Sequence, residues 1–198
     1  MLLRRRVSPL GQQALRAAWS LPESAQARIV FSSRHGEFGR TLSILDALIR
    51  REGASPADFT LSVHHALVGL LSIARNNRHG HTAVAAGRES FCFGLMEALA
   101  CLAENPAEPV LLLHCDEPLP EPFSDHDDGA GPPLAMALTL TASGEGEALS
   151  LSTAPAAADA QQTVSPALDF LGFLRGGAAE ASCSGERLHW RWRRHAAA

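Results

Sequence analysis

Apolar residues along this chain follow two rhythms, and the switch points between them divide it into elements. From Arg28 to Ser32 (RIVFS) and from Pro109 to Cys115 (PVLLLHC) the apolar positions run together, which predicts strands covered on both faces. Thr82 to Ala86 is a third such run, too short for a helix and bounded by Gly87. The spacing then changes: Phe91, Leu95, Leu99 and Leu102 fall four, four and three apart, on one face of a helix. Ser90 stands at the N-cap place, where its hydroxyl would accept from an orphan N–H of the first turn. The stretch from His81 to Leu102 therefore reads as buried strand, glycine turn, buried helix, with another strand following. A turn at the carboxyl end of a strand is where α/β proteins commonly place their chemistry.

The remaining elements follow from the same two periods. Ser8-Pro9 predicts a capped helix running to about Trp19 and stopping before Pro22. After Ser33-Arg34-His35-Gly36 comes a long amphipathic helix with Phe38, Leu42, Leu45 and Ile49 on one face. Ser55-Pro56 opens a brief turn, and His64 to Asn76 is apolar on most sides, a helix for the interior or an interface. Residues 117–133 carry five prolines and a cluster of acids and read as an exposed loop. Leu134 to Ala142 and Ala148 to Thr153 flank a Gly/Glu turn and predict a hairpin. Residues 154–163 are a second, alanine-rich loop. Ser165-Pro166 starts a last helix ending at Gly176-Gly177, and Arg187 to Arg194 alternates Leu188, Trp190 and Trp192 with His189, Arg191 and Arg193, a strand for a sheet edge. The expectation is one α/β domain over 1–198, with strands 28–32, 82–86 and 109–115 central and parallel or mixed.

Composition removes several function classes. A net charge of −4 provides no field for nucleic acid or a membrane surface. The basic side chains are 17 arginines and no lysine, so Schiff-base chemistry and a P-loop lysine are absent. No run reaches the roughly 20 apolar residues of a membrane span, and Arg4-Arg5-Arg6 precede Val-Ser-Pro rather than the apolar stretch of a signal peptide. Cys92, Cys101, Cys115 and Cys183 show no metal or redox spacing and read as reduced, small core residues of a cytoplasmic protein.

Each candidate site has a plain reading beside its sharp one. Cys92 lies near a helix start, which can lower a thiol pKa, yet Phe91 and Phe93 flank it as in a core. Ser90 lacks the second glycine of a nucleophile elbow and fits a capping role. His64, His65, His79 and His81 match no standard metal spacing, and His114, Cys115, Asp116 and His126 are separated by a proline-rich loop; no metal or cofactor is expected. Ser33-Arg34-His35-Gly36 joins a strand to a helix, so its N–H groups either hold an anion or pack against the central turn. The Trp190/Trp192 stripe with its arginines has the makings of a single-strand nucleic-acid platform, but its period of two is that of an ordinary strand.

Three stretches carry a family resemblance: SRHGEFGRT (33–41), FTLSVHHALVGLLSIA (59–74) and TAVAAGRESFCFGLMEAL (82–99). They resemble the N-terminal half of a β-ketoacyl synthase. More narrowly, with SVHHA, LPEPF and the late Trp-Arg strand, the chain is similar from Arg4 to Arg194 to the small chain-length-factor-like subunits of aryl polyene and related type II fatty acid/polyketide clusters. The resemblance implies a thiolase-like α/β half, a mostly parallel mixed sheet with helices on both faces. An active synthase needs a cysteine at the central turn, then two histidines and a lysine from a second half. Here the family alignment places Arg88 or Glu89 at the nucleophile, followed by Ser90, and this chain has no lysine. The resemblance therefore implies a non-catalytic partner of a full-length ketosynthase, acting on chains carried by acyl carrier protein. A homodimer is the fallback, and Leu67, Leu70 and Leu71 are expected at or just under the interface. A lone half is also expected to expose the face its missing half would cover. The competing reading is a small acyltransferase or thioesterase using Ser90 or Cys92 with His35, His64 or His65.

Overall fold

Ser8 caps the first helix as its place before a proline predicts. In the computed structural model, which describes residues 7–127, 131–144 and 146–195, its hydroxyl accepts from the Gly11 N–H at 3.0 Å and α1 runs Pro9–Trp19. Arg4–Arg6 lie outside the described residues. β1 is Arg28–Ser32, and β3, Val110–Asp116, lies parallel beside it with Val30 opposite Leu112. Both are apolar on both faces because both faces are covered. Ile29, Phe31, Leu111 and Leu113 join α1 and α4 (His65–Arg75), while Val30, Val110 and Leu112 join α5 (Ser90–Glu104). The helix α5 approaches β1 so closely that a Cβ on Gly94 would sit 2.6 Å from the Ser32 Cβ.

The third apolar run departs from expectation. It forms β2, His81–Val84, at the edge of a four-stranded sheet of order β2-β1-β3-β4, not at its centre. Alanines make up most of 82–86, and so small an apolar surface gains little from double coverage. The hairpin expected over 134–153 does not form either. β4, Leu134–Leu140, runs antiparallel to β3, whereas β5, Leu149–Pro155, belongs to a second, three-stranded sheet of order β5-β7-β6. Leu134, Met136, Leu138 and Leu140 of β4 face the α5 core beside the buried β3, while β5 reaches the same core through Leu151 from its place beside β7.

β7, Leu188–Arg194, is the central strand of the second sheet and not an edge. Its Trp190 and Trp192 are buried, and its backbone pairs with β5 on one side and β6 (Glu180–Ser184) on the other. β6 escaped the sequence reading because EASCS carries one strongly apolar side chain, Cys183. Ser165 caps α6, Pro166–Arg175, whose Phe170 and Phe173 pack on Trp192. Together α6 and this small sheet lie against α5, with Phe91 meeting Phe170 and Phe93 meeting Trp190 at ring separations of 5.2 and 5.1 Å. The face expected to lie bare is therefore covered by the chain's own C-terminal layer.

Exposed apolar surface lies elsewhere. α2 (Phe38–Ile49) has no buried residue, and α3 (Pro56–Ser62, a true helix and longer than a turn) has none either. Arg40 ties the two helices through Asp58 at 3.0 Å, leaving Leu48, Ile49 and Phe59 in solvent. Leu67 and Leu71 of α4 are buried against the sheet, Leu70 is half-buried, and Ile73 is 73% exposed. Among the described residues no single helix is long and apolar enough to cross a membrane.

Candidate functional site

The turn between β2 and α5 is built by backbone and hydroxyl together. Gly87 takes φ of +61°, a conformation that disfavours other residues. Ser90 is not the helix cap: Glu89 holds that position, and Ser90 is the first helical residue. Its Oγ donates to the Gly87 carbonyl at 2.6 Å and accepts from the Ala86 N–H at 2.9 Å, closing the turn behind the helix. Its proton is held by a carbonyl, and among the described residues no histidine or acid is bonded to this hydroxyl.

Glu89 points away from the cleft. Its side chain is 1% exposed and accepts from the backbone N–H groups of Arg187 and Leu188, at 3.1 and 3.2 Å, and from the Trp190 indole at 2.9 Å. The fit is close: a Cβ on Gly185 would lie 2.2 Å from its Oε1. At this turn Glu89 fastens α5 to the β6–β7 turn. Arg88 lines the small cavity described below. Cys92 is fully buried, and a hydrogen bond with Cys183, followed by burial, pushes its thiol far above the ordinary value. At neutral pH it carries no thiolate.

At the carboxyl ends of β1 and β3 the polar residues converge. The N–H groups of Arg34 and His35 donate to the chain's own Asp116, at 2.9 and 3.3 Å, and Gly36 N–H donates to Ser33 Oγ at 2.8 Å. His114, the residue two before Asp116 on the same face of β3, is buried and shares a 3.0 Å hydrogen bond between Nδ1 and Ser32 Oγ. Arg34, His35, Arg88, Ser90, Phe91 and His114 surround a cavity of about 40 Å³. Small-molecule sites enclose about 300–1,000 Å³, so this space admits water and not an acyl substrate. Among the described residues no group of histidines, cysteines or acids is placed to hold a metal. The rings of His65 and His81 lie 5.4 Å apart and tilted by 48°, and His79 bonds Glu108. The sequence grouped His114 and Asp116 with Cys115 and His126; the alternation along β3 turns His114 and Asp116 to the site and Cys115 to the opposite core.

Burial lowers the pKa of His114 from its ordinary 6.5, and also that of His35. A folded-state value below the unfolded one means that the unfolded chain binds the extra proton first. The neutral rings are accommodated fully above about pH 6.5. Stability then falls as pH drops through 6.5 towards the lowered folded values. Urea midpoints taken at pH 7.5 and 5.5 are expected to show this loss, and His114→Asn to remove a large part of it. An unchanged slope in the variant would contradict the assignment.

The comparisons with known proteins agree with this geometry. Residues 1–193 match the family described as β-ketoacyl synthase, N-terminal domain. Among solved structures, the chain is similar to one in the complex of a ketosynthase (ApeO) with its chain length factor (ApeC) from Xenorhabdus doucetiae, at 32% identity and a TM-score of 0.84. The match covers 98% of this chain and 81% of that one. The fold is therefore the thiolase-like one of ketosynthase N-terminal halves. No curated protein matches.

Proposed function

We propose that this chain, which belongs to the β-ketoacyl synthase N-terminal domain family, is a non-catalytic, chain-length-factor-like subunit of a full-length β-ketoacyl-ACP synthase. The observation that carries the reading is Glu89: the nucleophile turn is committed to holding the C-terminal layer, and the cleft beside it is too small for substrate. The similarity to the ketosynthase–chain length factor complex supports the same assignment, since the match spans 81% of that chain as well as 98% of this one. In this reading residues 1–198 act as one domain in the cytoplasm, pairing with the synthase and shaping the space for a chain borne by acyl carrier protein, as in aryl polyene or fatty acid-type polyketide synthesis. It needs no cofactor and no nucleic acid, and homodimers form when the synthase is absent.

The acyltransferase or thioesterase reading is not favoured. Ser90 is bonded to backbone on both sides, and Cys92 is sealed in the core beside Cys183. Co-expression with a complete ketosynthase encoded beside it, followed by size-exclusion chromatography, is expected to give one co-eluting complex. Incubation of the purified chain with acyl-ACP thioesters is expected to leave its intact mass unchanged and release no free acid. A stable acyl adduct on Ser90 or Cys92 would overturn the non-catalytic reading.

A further inference from the structure

On the far side of the main sheet from β2, the elements α5, β4, β5, α6 and β7 line a second and much larger cavity, of about 270 Å³, open to solvent along Thr141, Gly146, Glu147 and Ser150. Its wall is apolar, built from side chains that include Leu95, Leu138, Leu151 and Phe170, and at its margin Leu99 and Leu149 are each 37% exposed. The polar lining residues Thr141, Glu147 and Ser150 lie at the exposed rim; deeper in, Trp192 is 1% exposed and its indole Nε1 has no hydrogen-bond partner among the described residues. Buried tryptophan N–H groups are nearly always paired, because an orphaned donor retains its desolvation cost. The side chains against that ring, Leu151 across the strand pair and Phe170, are apolar and give a water no second partner. At the rim, Glu147 is occupied by Arg194, which also donates to the carbonyls of Phe173, Leu174 and Gly176, so no cation is offered to an acid.

We propose that this cavity binds a neutral apolar ligand, an aryl ring system or a chain of about eight to ten carbons, with one oxygen acceptor placed against the Trp192 N–H. The size follows from volume: a cavity of about 150 Å³ holds benzene, so 270 Å³ suits a bicyclic aryl group. The single donor calls for an ester, ketone or ether oxygen and not a carboxylate. The site does not rest on the subunit assignment above, and it lies at the opposite sheet edge from β2.

The test uses the full chain and two probes, methyl 2-naphthoate and naphthalene, followed through the Trp192 indole N–H resonance. The ester is expected to bind saturably at one equivalent and to move that resonance downfield, while naphthalene binds without the downfield shift. Leu99→Trp fills the cavity from its margin and is expected to weaken both probes at least about tenfold; Leu149→Trp, from the opposite wall, serves if the first variant folds poorly. Trp192→Phe keeps most of the apolar wall and loses the donor, so the ester-to-naphthalene affinity ratio falls about three- to tenfold. Absence of saturable binding, binding that survives both filling variants, or an unchanged ratio in Trp192→Phe would each overturn the proposal.

Discussion

Glu89→Ala is expected to lower unfolding free energy by about 3–5 kcal/mol, the largest loss of any single polar substitution in this chain. The loss follows from what remains behind. The Trp190 indole N–H is fully buried, and the N–H groups of Arg187 and Leu188 lose their acceptor with it. Each orphaned buried donor costs about 1–3 kcal/mol. The ion pair to Arg187 at 3.5 Å contributes little, since that guanidinium is 62% exposed and screened. Glu89→Gln keeps one acceptor oxygen and turns an amide donor towards the others, so it falls between wild type and alanine. At about 2–4 °C per kcal/mol, the alanine variant melts about 10 °C lower. A double-mutant cycle with Trp190→Phe is expected to be strongly non-additive, because the second change removes a donor the first has orphaned. A loss below about 1 kcal/mol, or additivity in the cycle, would show that Glu89 does not hold the layers together.

The same contact governs the obvious attempt at reactivation. Glu89→Cys places a thiol against the β6–β7 turn and not in the cleft, since Arg88, Ser90 and Phe91 line the cavity and Glu89 does not. A cysteine there is expected to destabilise the chain without making it acylable. A side chain that fastens the two layers from position 89 is turned away from the cleft.

The sequence was most informative where local chemistry and burial point the same way. Ser8-Pro9 and Ser165-Pro166 cap α1 and α6 as they stand, because a cap is satisfied within its own turn. PVLLLHC and RIVFS, apolar through their middle positions, had to be central strands. Ser90 misled because the same hydroxyl that caps a helix also closes the turn before it, and the choice depends on where Glu89 goes. That destination, the N–H groups of 187 and 188, lies some hundred residues away in sequence, and no local pattern announces it. The false hairpin has a similar origin. Two alternating runs either side of a glycine turn look paired until β3 and β7, strands from elsewhere in the chain, offer each of them a better-buried partner.

Association with the synthase should fail when either of two adjacent surfaces is altered, and the fold places both. β2 is an edge strand, and Gly80 and Val84 carbonyls accept from Ile29 and Ser33. By the alternation of a parallel ladder, the N–H and C=O of His81 and Ala83 then face outward, ready to pair with another sheet edge. Beside it α4 presents Ile73 to solvent and Leu70 at the margin, with Leu67 and Leu71 beneath them in the core. Leu71→Arg is therefore uninformative: it would bury an unpaired charge and unfold the subunit. Ile73→Arg and Leu70→Arg leave the core intact, and Ala83→Pro removes an outward N–H without touching the bonds to β1. Each is expected to weaken the complex by about 2 kcal/mol or more, a loss of about thirtyfold or greater in affinity. Circular dichroism and melting of the isolated variants establish that they fold, and titration against the synthase reads the affinity. If Ala83→Pro and Ile73→Arg both fold normally and bind unchanged, the interface is not at this edge. The exposed stripe of Leu48, Ile49 and Phe59 on α2 and α3 then becomes the surface to test.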